Sequence, residues 1–308
     1  MKVTLAGINL PSPIIAASGT FGYGIEFEEI VDLEHIGGFV TKGISIEPIA
    51  GHPPPRIIQT AAGMLNAVGL QNVGVEEFIT RKLPALRRYP RCNVIVNVFG
   101  YTVGQFIAVI ERLNQAEGIA AYELNISCPN IHADSMAFGI DPGSLEYLVS
   151  RANSASTRPL IVKLSPNVTS IAQMARIAAN AGANALSVSN TFLAMSIDSE
   201  TRRPRLSNIT GGLSGPAIKP IALRLVYETA SAVSIPIIGM GGITTPEDAV
   251  EFMLAGATAV QVGTASFADP RAVERLSKGL ESWCRHHDVA RVASLSGALE
   301  RPMPESNQ

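Results

Sequence analysis

The chain is poor in cysteine, charge and long apolar runs, and each shortage removes a class of protein. Only three cysteines occur in 308 residues, at Cys92, Cys128 and Cys284. They stand far apart and form no CxxC pair, so spacing supports neither a zinc site nor an iron–sulfur cluster. An odd, sparse count also opposes a disulfide framework. Charged residues make up 16%, the formal net charge is -2, and no basic run occurs. The electrostatic footprint of a nucleic-acid binder is therefore missing. No apolar stretch approaches the roughly 18 uninterrupted residues of a membrane span. No signal-peptide pattern opens the sequence, and a soluble cytoplasmic protein is the expectation.

What is present is material for a deep core cut by many turns: 46% apolar residues, Gly 27 and Pro 20. Short β-rich runs alternate with helical patterns along the whole chain. The strand candidates are Ile14–Ser18, Gly38–Gly43, Val94–Phe99, Tyr122–Ser127, Leu160–Ser165, Ala185–Asn190, Ile237–Gly241 and Ala259–Gly263. Between them lie amphipathic or Ala-rich segments, among them Glu26–His35, Val75–Arg88, Val103–Gln115, Ile171–Ala181, Ala217–Val233, Pro246–Ala255 and Pro270–His286. Several strands are continuous apolar runs, as parallel strands covered on both faces require. Repeated β–α units over this length predict a single (β/α)8 barrel domain spanning residues 1–308. A doubly wound sheet is the runner-up, but no GxGxxG follows the first strand. Lys2–Leu10 reads as a strand pair sealing the barrel bottom. Long connections follow strands 2, 4 and 6; Ser45–Val73 and Thr191–Gly215 exceed simple turns and are expected to be lids or walls at the functional end.

Read along the strand ends, the polar residues share one address. The first strand ends in Ala17-Ser18-Gly19 and the second in Thr41-Lys42-Gly43. Asn97 ends the third, Asn125 to Cys128 the fourth, and Lys163 the fifth. Ser189-Asn190-Thr191, Gly239-Met240-Gly241-Gly242 and Gly263-Thr264 close the last three. One Asn or Gly would be turn chemistry. Two lysines, four asparagines (Asn97, Asn125, Asn130, Asn190) and a thiol converging on one cavity are harder to dismiss. Glycines let backbone approach an anion, and loops after strands 7 and 8 are the recurring phosphate site of these barrels. Gly215, Gly241, Gly242, Gly263 and Thr264 are thus candidates for a phosphate cradle; close helix–strand packing would explain one or two of them. Lys163 interrupts an apolar strand and admits two roles, a Schiff base or a fixed charge beside a bound ring. Cys128 sits between two carboxamides, where it can serve as a base or simply be buried. His132, four residues on, reads as a loop residue, and Asp134 and Asp141 as loop or capping residues.

The chain resembles class 1 dihydroorotate dehydrogenases, within them the catalytic subunit of the NAD-linked class 1B type, from about Leu5 to Asp269. The motifs that carry the resemblance are Ala17-Ser18-Gly19, Thr41-Lys42-Gly43, the run from Met64 to Asn72, and Asn125-Ile126-Ser127-Cys128-Pro129-Asn130. Val162 to Asn167, Asn208 to Gly215 and Gly239-Met240-Gly241-Gly242 match in the same order. The resemblance implies FMN in the barrel mouth, held by Ser18, Lys42, Gly43, Asn97, Asn125, Lys163, Ser189, Gly215, Gly241, Gly242, Gly263 and Thr264. It implies dihydroorotate on Lys42, Asn66, Ala67, Val68, Gly69, Leu70, Asn125, Asn190 and Thr191, with Cys128 as base. Two stretches depart from the family: His132 to Gly139 replaces a Gly-rich loop, and Val98-Phe99 after Asn97 is bulkier than usual.

No dinucleotide fingerprint or cysteine cluster is present to carry electrons onward. If NAD is the acceptor, a partner with FAD and a [2Fe-2S] cluster is needed, as the resemblance implies, in a heterotetramer built on a homodimer. A fumarate-using class 1A enzyme is the closest alternative. A flavin-free lyase using Lys163, or a non-catalytic phosphate-ligand barrel, stands further off.

Overall fold

The computed structural model describes residues 1–126 and 138–300. Its centre is a closed barrel of eight parallel strands. In chain order they are β1 (Ile14–Ala16), β2 (Gly38–Val40), β3 (Val94–Val98), β4 (Ala121–Asn125), β5 (Leu160–Lys163), β6 (Ala185–Val188), β7 (Ile237–Met240) and β8 (Ala259–Val262). Each pairs in parallel with its successor, and β8 closes on β1 through Val260↔Ile14 and Val262↔Ala16. Every residue of β1, β2, β3, β5, β6 and β8 is buried. Helices cover the outer face, which is why these strands are apolar runs rather than alternating ones.

The covering helices begin where the sequence places caps. Thr102, Ser170 and Thr245 each accept a hydrogen bond from the backbone N–H three residues on, at 3.3, 3.2 and 3.2 Å. Asp141 caps Pro142–Ala155 in the same way, accepting from Ser144 N–H at 2.7 Å. These bonds satisfy donors that a helix start leaves bare, worth about 1 kcal/mol each. Val103–Asn114 then buries Phe106, Val109, Ile110 and Leu113, one stripe at three- and four-residue spacing.

Two helical expectations need correction. Glu26–His35 is not an α-helix; only a 3-10 turn forms at Ile25–Phe27, followed by turns. Asp32 accepts Glu34 N–H at 3.0 Å, a local bond that competes with helix. Val75–Arg88 is helical but not uniform: Val75–Glu77 and Leu83–Leu86 flank a π turn at Phe78–Lys82. Pro84 has no N–H for the carbonyl of Thr80, and its ring needs the wider turn.

At the bottom, Val3–Leu5 and Ile8–Leu10 pair antiparallel through a turn in which Ala6 and Gly7 have φ of 48° and 82°. Asn93, just before β3, donates to Asn9 O at 3.2 Å and Gly37 O at 2.9 Å, fastening the pair to the barrel. At the opposite end the two long connections build one element. Ile57–Thr60, Gly63–Asn66, Thr210–Ser214 and Phe192–Met195 form a four-stranded antiparallel sheet, with its own small core of Leu65, Ala67 and Leu206. They are walls, as expected, but joined ones. No helix among the described residues is long and apolar enough to cross a membrane.

Candidate active site

Strand ends are where a barrel's backbone stops pairing and its side chains meet. Here they open into a cavity of about 1340 Å³, its open mouth included. Ser18, Lys42, Gly43, Asn125, Lys163, Ser189, Gly241, Gly242, Gly263 and Thr264 line it from strand ends around the ring. Asn190 and Thr191 follow β6 on the same wall, and Gly215 ends the strand Thr210–Ser214. Asn66, Ala67, Val68, Gly69 and Leu70 enter from the other long connection. Of the described residues singled out from sequence, Asn97 alone is not on the cavity wall; it lies fully buried beneath it. Cys128, Asn130, His132 and Asp134 fall outside the described residues, so the thiol's position is not part of this geometry.

The wall from Asn66 to Leu70 is hung from a polar knot. Asn72, nearly buried, accepts from Gly74 N–H at 2.8 Å and Ser45 Oγ at 3.1 Å, and donates to Leu70 O at 2.9 Å. His52 N–H donates to Val68 O at 3.0 Å, holding the wall from the other side. Lys42 is half-buried against it. Burial, then the Arg56 guanidinium, push its pKa below the usual lysine value, while Glu26 pulls it up. Lys42 on the cavity wall, with the Arg56 charge acting on it from outside the lining, leaves a site that welcomes an anion.

On the opposite side the backbone offers donors. The N–H groups of Gly241, Gly242, Gly263 and Thr264 make no hydrogen bond among the described residues. Packing accounts for part of the glycine choice. A Cβ on Gly241 would sit 2.6 Å from Ala222 Cβ, and one on Gly242 2.7 Å from Gly215 O. A Cβ on Gly263 would meet nothing closer than 3.4 Å. Tight packing explains the first two glycines, and only cavity access is left for the third.

The deepest part is a cluster that sequence reasoning mostly missed. Glu123 on β4 is fully buried, directly across from Asn97 on β3. Its Oε1 accepts from Asn97 Nδ2 at 2.8 Å; its Oε2 accepts from Ser187 Oγ and from Gln261 Nε2, both at 2.7 Å. Lys163, 5% exposed, shares this floor. Burial lowers its pKa and the Glu123 carboxylate works in the other direction. Lys163 was visible because a charge broke an apolar strand. Glu123, within Tyr122-Glu123-Leu124, and Gln261, within Val260-Gln261-Val262, carry that same signal. Arg56 lies in a connection without period, where nothing in the sequence marks it, and Asn72 closes the Met64–Asn72 motif without a pattern that assigns it a role.

A parallel barrel with a basic, donor-rich cavity at the carboxyl ends of its strands is the architecture of a (β/α)8-barrel enzyme. The chain belongs to the dihydroorotate dehydrogenase family, whose profile matches residues 1–283. It is 53% identical over 300 residues to the dihydroorotate dehydrogenase B (NAD(+)) catalytic subunit of Citrifermentans bemidjiense, and 54% identical to that of Pelobacter propionicus. Each alignment covers 97% of this chain and 98% of the relative. A Solibacter usitatus protein with the provisional name dihydroorotate dehydrogenase A (fumarate) is 53% identical over the same shares.

Proposed function

We propose that the chain oxidises (S)-dihydroorotate to orotate in de novo pyrimidine (UMP) biosynthesis, as a single FMN-binding domain and the catalytic subunit of an NAD-linked enzyme. The observation that carries this reading is the meeting of Lys42, Asn66–Leu70, Asn125, Lys163, Asn190 and Thr191 in one cavity with four backbone N–H groups that have no partner among the described residues. The residues present fit FMN. Asn97 Oδ1 and Gln261 Oε1 are buried acceptors without a partner among the described residues, which a ring N–H would satisfy. The N–H groups of Gly241, Gly242, Gly263 and Thr264 suit a phosphate. When bound, FMN supplies the two-electron acceptor for the hydride leaving C6 of the substrate.

Around it, the chain's own groups divide the work. Lys42, with Arg56 behind it, holds the substrate carboxylate. Asn66, Asn125 and Asn190 offer both donors and acceptors to the imide and carbonyl groups of the ring, and so fix its face. The wall from Ala67 to Leu70 and Thr191 closes the sides against water. Cys128 takes the C5 proton as general base. Lys163, charged in a dry floor, stabilises negative charge that develops on the bound ring system. Ser18, Gly43, Ser189 and Gly215 complete the cofactor wall.

Electrons leave through a partner subunit carrying FAD and a [2Fe-2S] cluster, in a heterotetramer on a homodimeric core. The supporting fact is what the sequence holds: three scattered cysteines and no dinucleotide fingerprint give it no recognisable onward relay. Anaerobic addition of dihydroorotate should bleach a yellow protein, and NAD should restore the colour only when the partner is present. Reoxidation by fumarate without a partner would assign the chain to the fumarate-using type instead. A colourless protein that traps substrate on Lys163 with borohydride would refute flavin chemistry altogether. Cys128→Ser should keep flavin and reduce it at least about a hundredfold more slowly at neutral pH, with recovery at high pH.

A further inference from the structure

The buried cluster beneath the cavity has a property that follows from its donor and acceptor count. A carboxylate only accepts hydrogen bonds, whereas a carboxamide has one accepting and one donating end. Glu123 receives both amides at once, from Asn97 Nδ2 at 2.8 Å and Gln261 Nε2 at 2.7 Å. Each amide must therefore turn its NH2 toward Glu123 and its oxygen away. Those oxygens, Asn97 Oδ1 and Gln261 Oε1, are buried and have no partner among the described residues. Gln261 lines the cavity, and a Cβ built on the cavity residue Gly43 would lie 3.1 Å from Asn97 Oδ1. Ser187 cannot satisfy them, because its one hydroxyl proton is given to Glu123 at 2.7 Å.

We propose that Glu123 is a positioning residue that sets the hydrogen-bond polarity of the cavity floor, presenting Gln261 and Asn97 to the bound ring as acceptors. The floor thereby selects a ring that turns an N–H toward it. This rests on the FMN reading above, since FMN carries an imide N–H in its pyrimidine portion. It adds Gln261 to the cofactor-facing residues and gives a role to a buried charge that touches neither ligand. Lys163 supplies a donor in the same floor, so the edge it faces is an acceptor beside a donor. An imide edge has that alternation. A floor with both amides reversed would present only donors and leave the imide N–H unpaired, which is costly in a dry site.

The test uses the full chain as purified and two variants. Glu123→Gln keeps the side-chain size but introduces a second NH2 among donors, so one neighbouring amide has to turn over. Gln261→Met removes one acceptor and leaves Glu123 with Asn97 and Ser187. The measurements are melting temperature, the Kd for FMN, and the NMR signal and solvent exchange of the imide N–H of isotope-labelled FMN. We expect both variants to melt as folded proteins, to bind FMN about ten- to a hundredfold more weakly, and to show a displaced, faster-exchanging imide N–H. A merely structural role would move the melting temperature and leave the imide signal alone. The inference is refuted if both variants bind FMN within about twofold of the parent with the imide signal unmoved. If Glu123→Gln does not fold, Gln261→Met decides by the same criterion. A parent chain that binds no FMN overturns the functional reading itself, which separates the two failures.

Discussion

Replacing Gly242 and Gly263 separately by alanine would distinguish a glycine needed for packing from one needed for ligand access. Gly242 has φ of 75°, the left-handed region, where a non-glycine residue costs about 1–2 kcal/mol. Its new Cβ would lie 2.7 Å from Gly215 O, 2.9 Å from Lys219 Cβ and 3.0 Å from Lys219 N. Two of those neighbours are backbone, and Gly215 O is already held by Ile218 N–H at 3.1 Å. The neighbours cannot step aside singly, so overpacking adds about 1–3 kcal/mol. Gly242→Ala should thus lose roughly 2–5 kcal/mol, a large share of the 5–15 typical of a domain, yet remain folded. Gly263 has no left-handed φ, and its nearest neighbour would be Ala17 Cβ at 3.4 Å, so Gly263→Ala should cost less than about 1 kcal/mol. Both line the cavity, so both should lose FMN, one with its stability and one without. Urea unfolding alongside flavin content reads the two effects separately. A Gly242→Ala protein as stable as its parent would refute the steric argument, and a Gly263→Ala protein with full flavin would refute the access argument.

Other outcomes follow from groups already described. Asn72→Ala should cost about 2–4 kcal/mol by stranding buried donors around Ser45 and Gly74, and should raise the KM for dihydroorotate by loosening the Asn66–Leu70 wall; an unchanged KM would show that the wall is held otherwise. Burial pushes the Cys92 thiol up to about 12 from 9.0, so the folded chain keeps a proton that the unfolded chain gives up. Stability should then fall as pH rises from 9.0, by up to about 4 kcal/mol near pH 12, and Cys92→Ala should flatten that fall in alkaline urea titrations. Lys163 and Lys42 act oppositely. Their pKa values lie below 10.5 in the folded state, so the unfolded chain binds more protons in between and their contribution to stability grows as pH rises toward 10.5. Lys163→Met should remove part of that rise, while an identical pH profile would deny its burial.

The barrel was legible because parallel strands covered on both faces must be apolar, and eight such runs alternate with caps and helical stripes. Strand starts agree to within a residue, and strand ends run shorter than expected, for example Ala16 instead of Ser18. The residues just past the last ladder bond are extended like strand but serve the cavity, and sequence cannot separate the two. The cavity itself was largely readable, since Ser18, Lys42, Lys163 and Asn190 occupy equivalent strand ends. The sheet joining the two long connections was not. Its strand Phe192–Met195 alternates half-buried and exposed, and Gly63–Asn66 and Thr210–Ser214 contain glycines at Gly63, Gly211 and Gly212 that read as turns. Glu123 was missed for another reason: a buried carboxylate is legible only with its donors, and those lie on β3, β6 and β8.

That joined sheet also dictates when the site can exist. Gly63–Asn66 hydrogen-bonds to Thr210–Ser214, and Asn66 Nδ2 reaches Gly212 O across 146 residues of sequence. Four of the eight barrel strands, β3 to β6, lie between these two partners. A chain emerging N-terminus first can form β1 to β6 while Gly63–Asn66 has only its hairpin partner Ile57–Thr60 and still waits for Thr210–Ser214. Loop closure over such a distance comes late, after nearer contacts have paid for it. The substrate pocket is accordingly among the last surfaces to be assembled, and an unfinished barrel presents no competent mouth to its ligands.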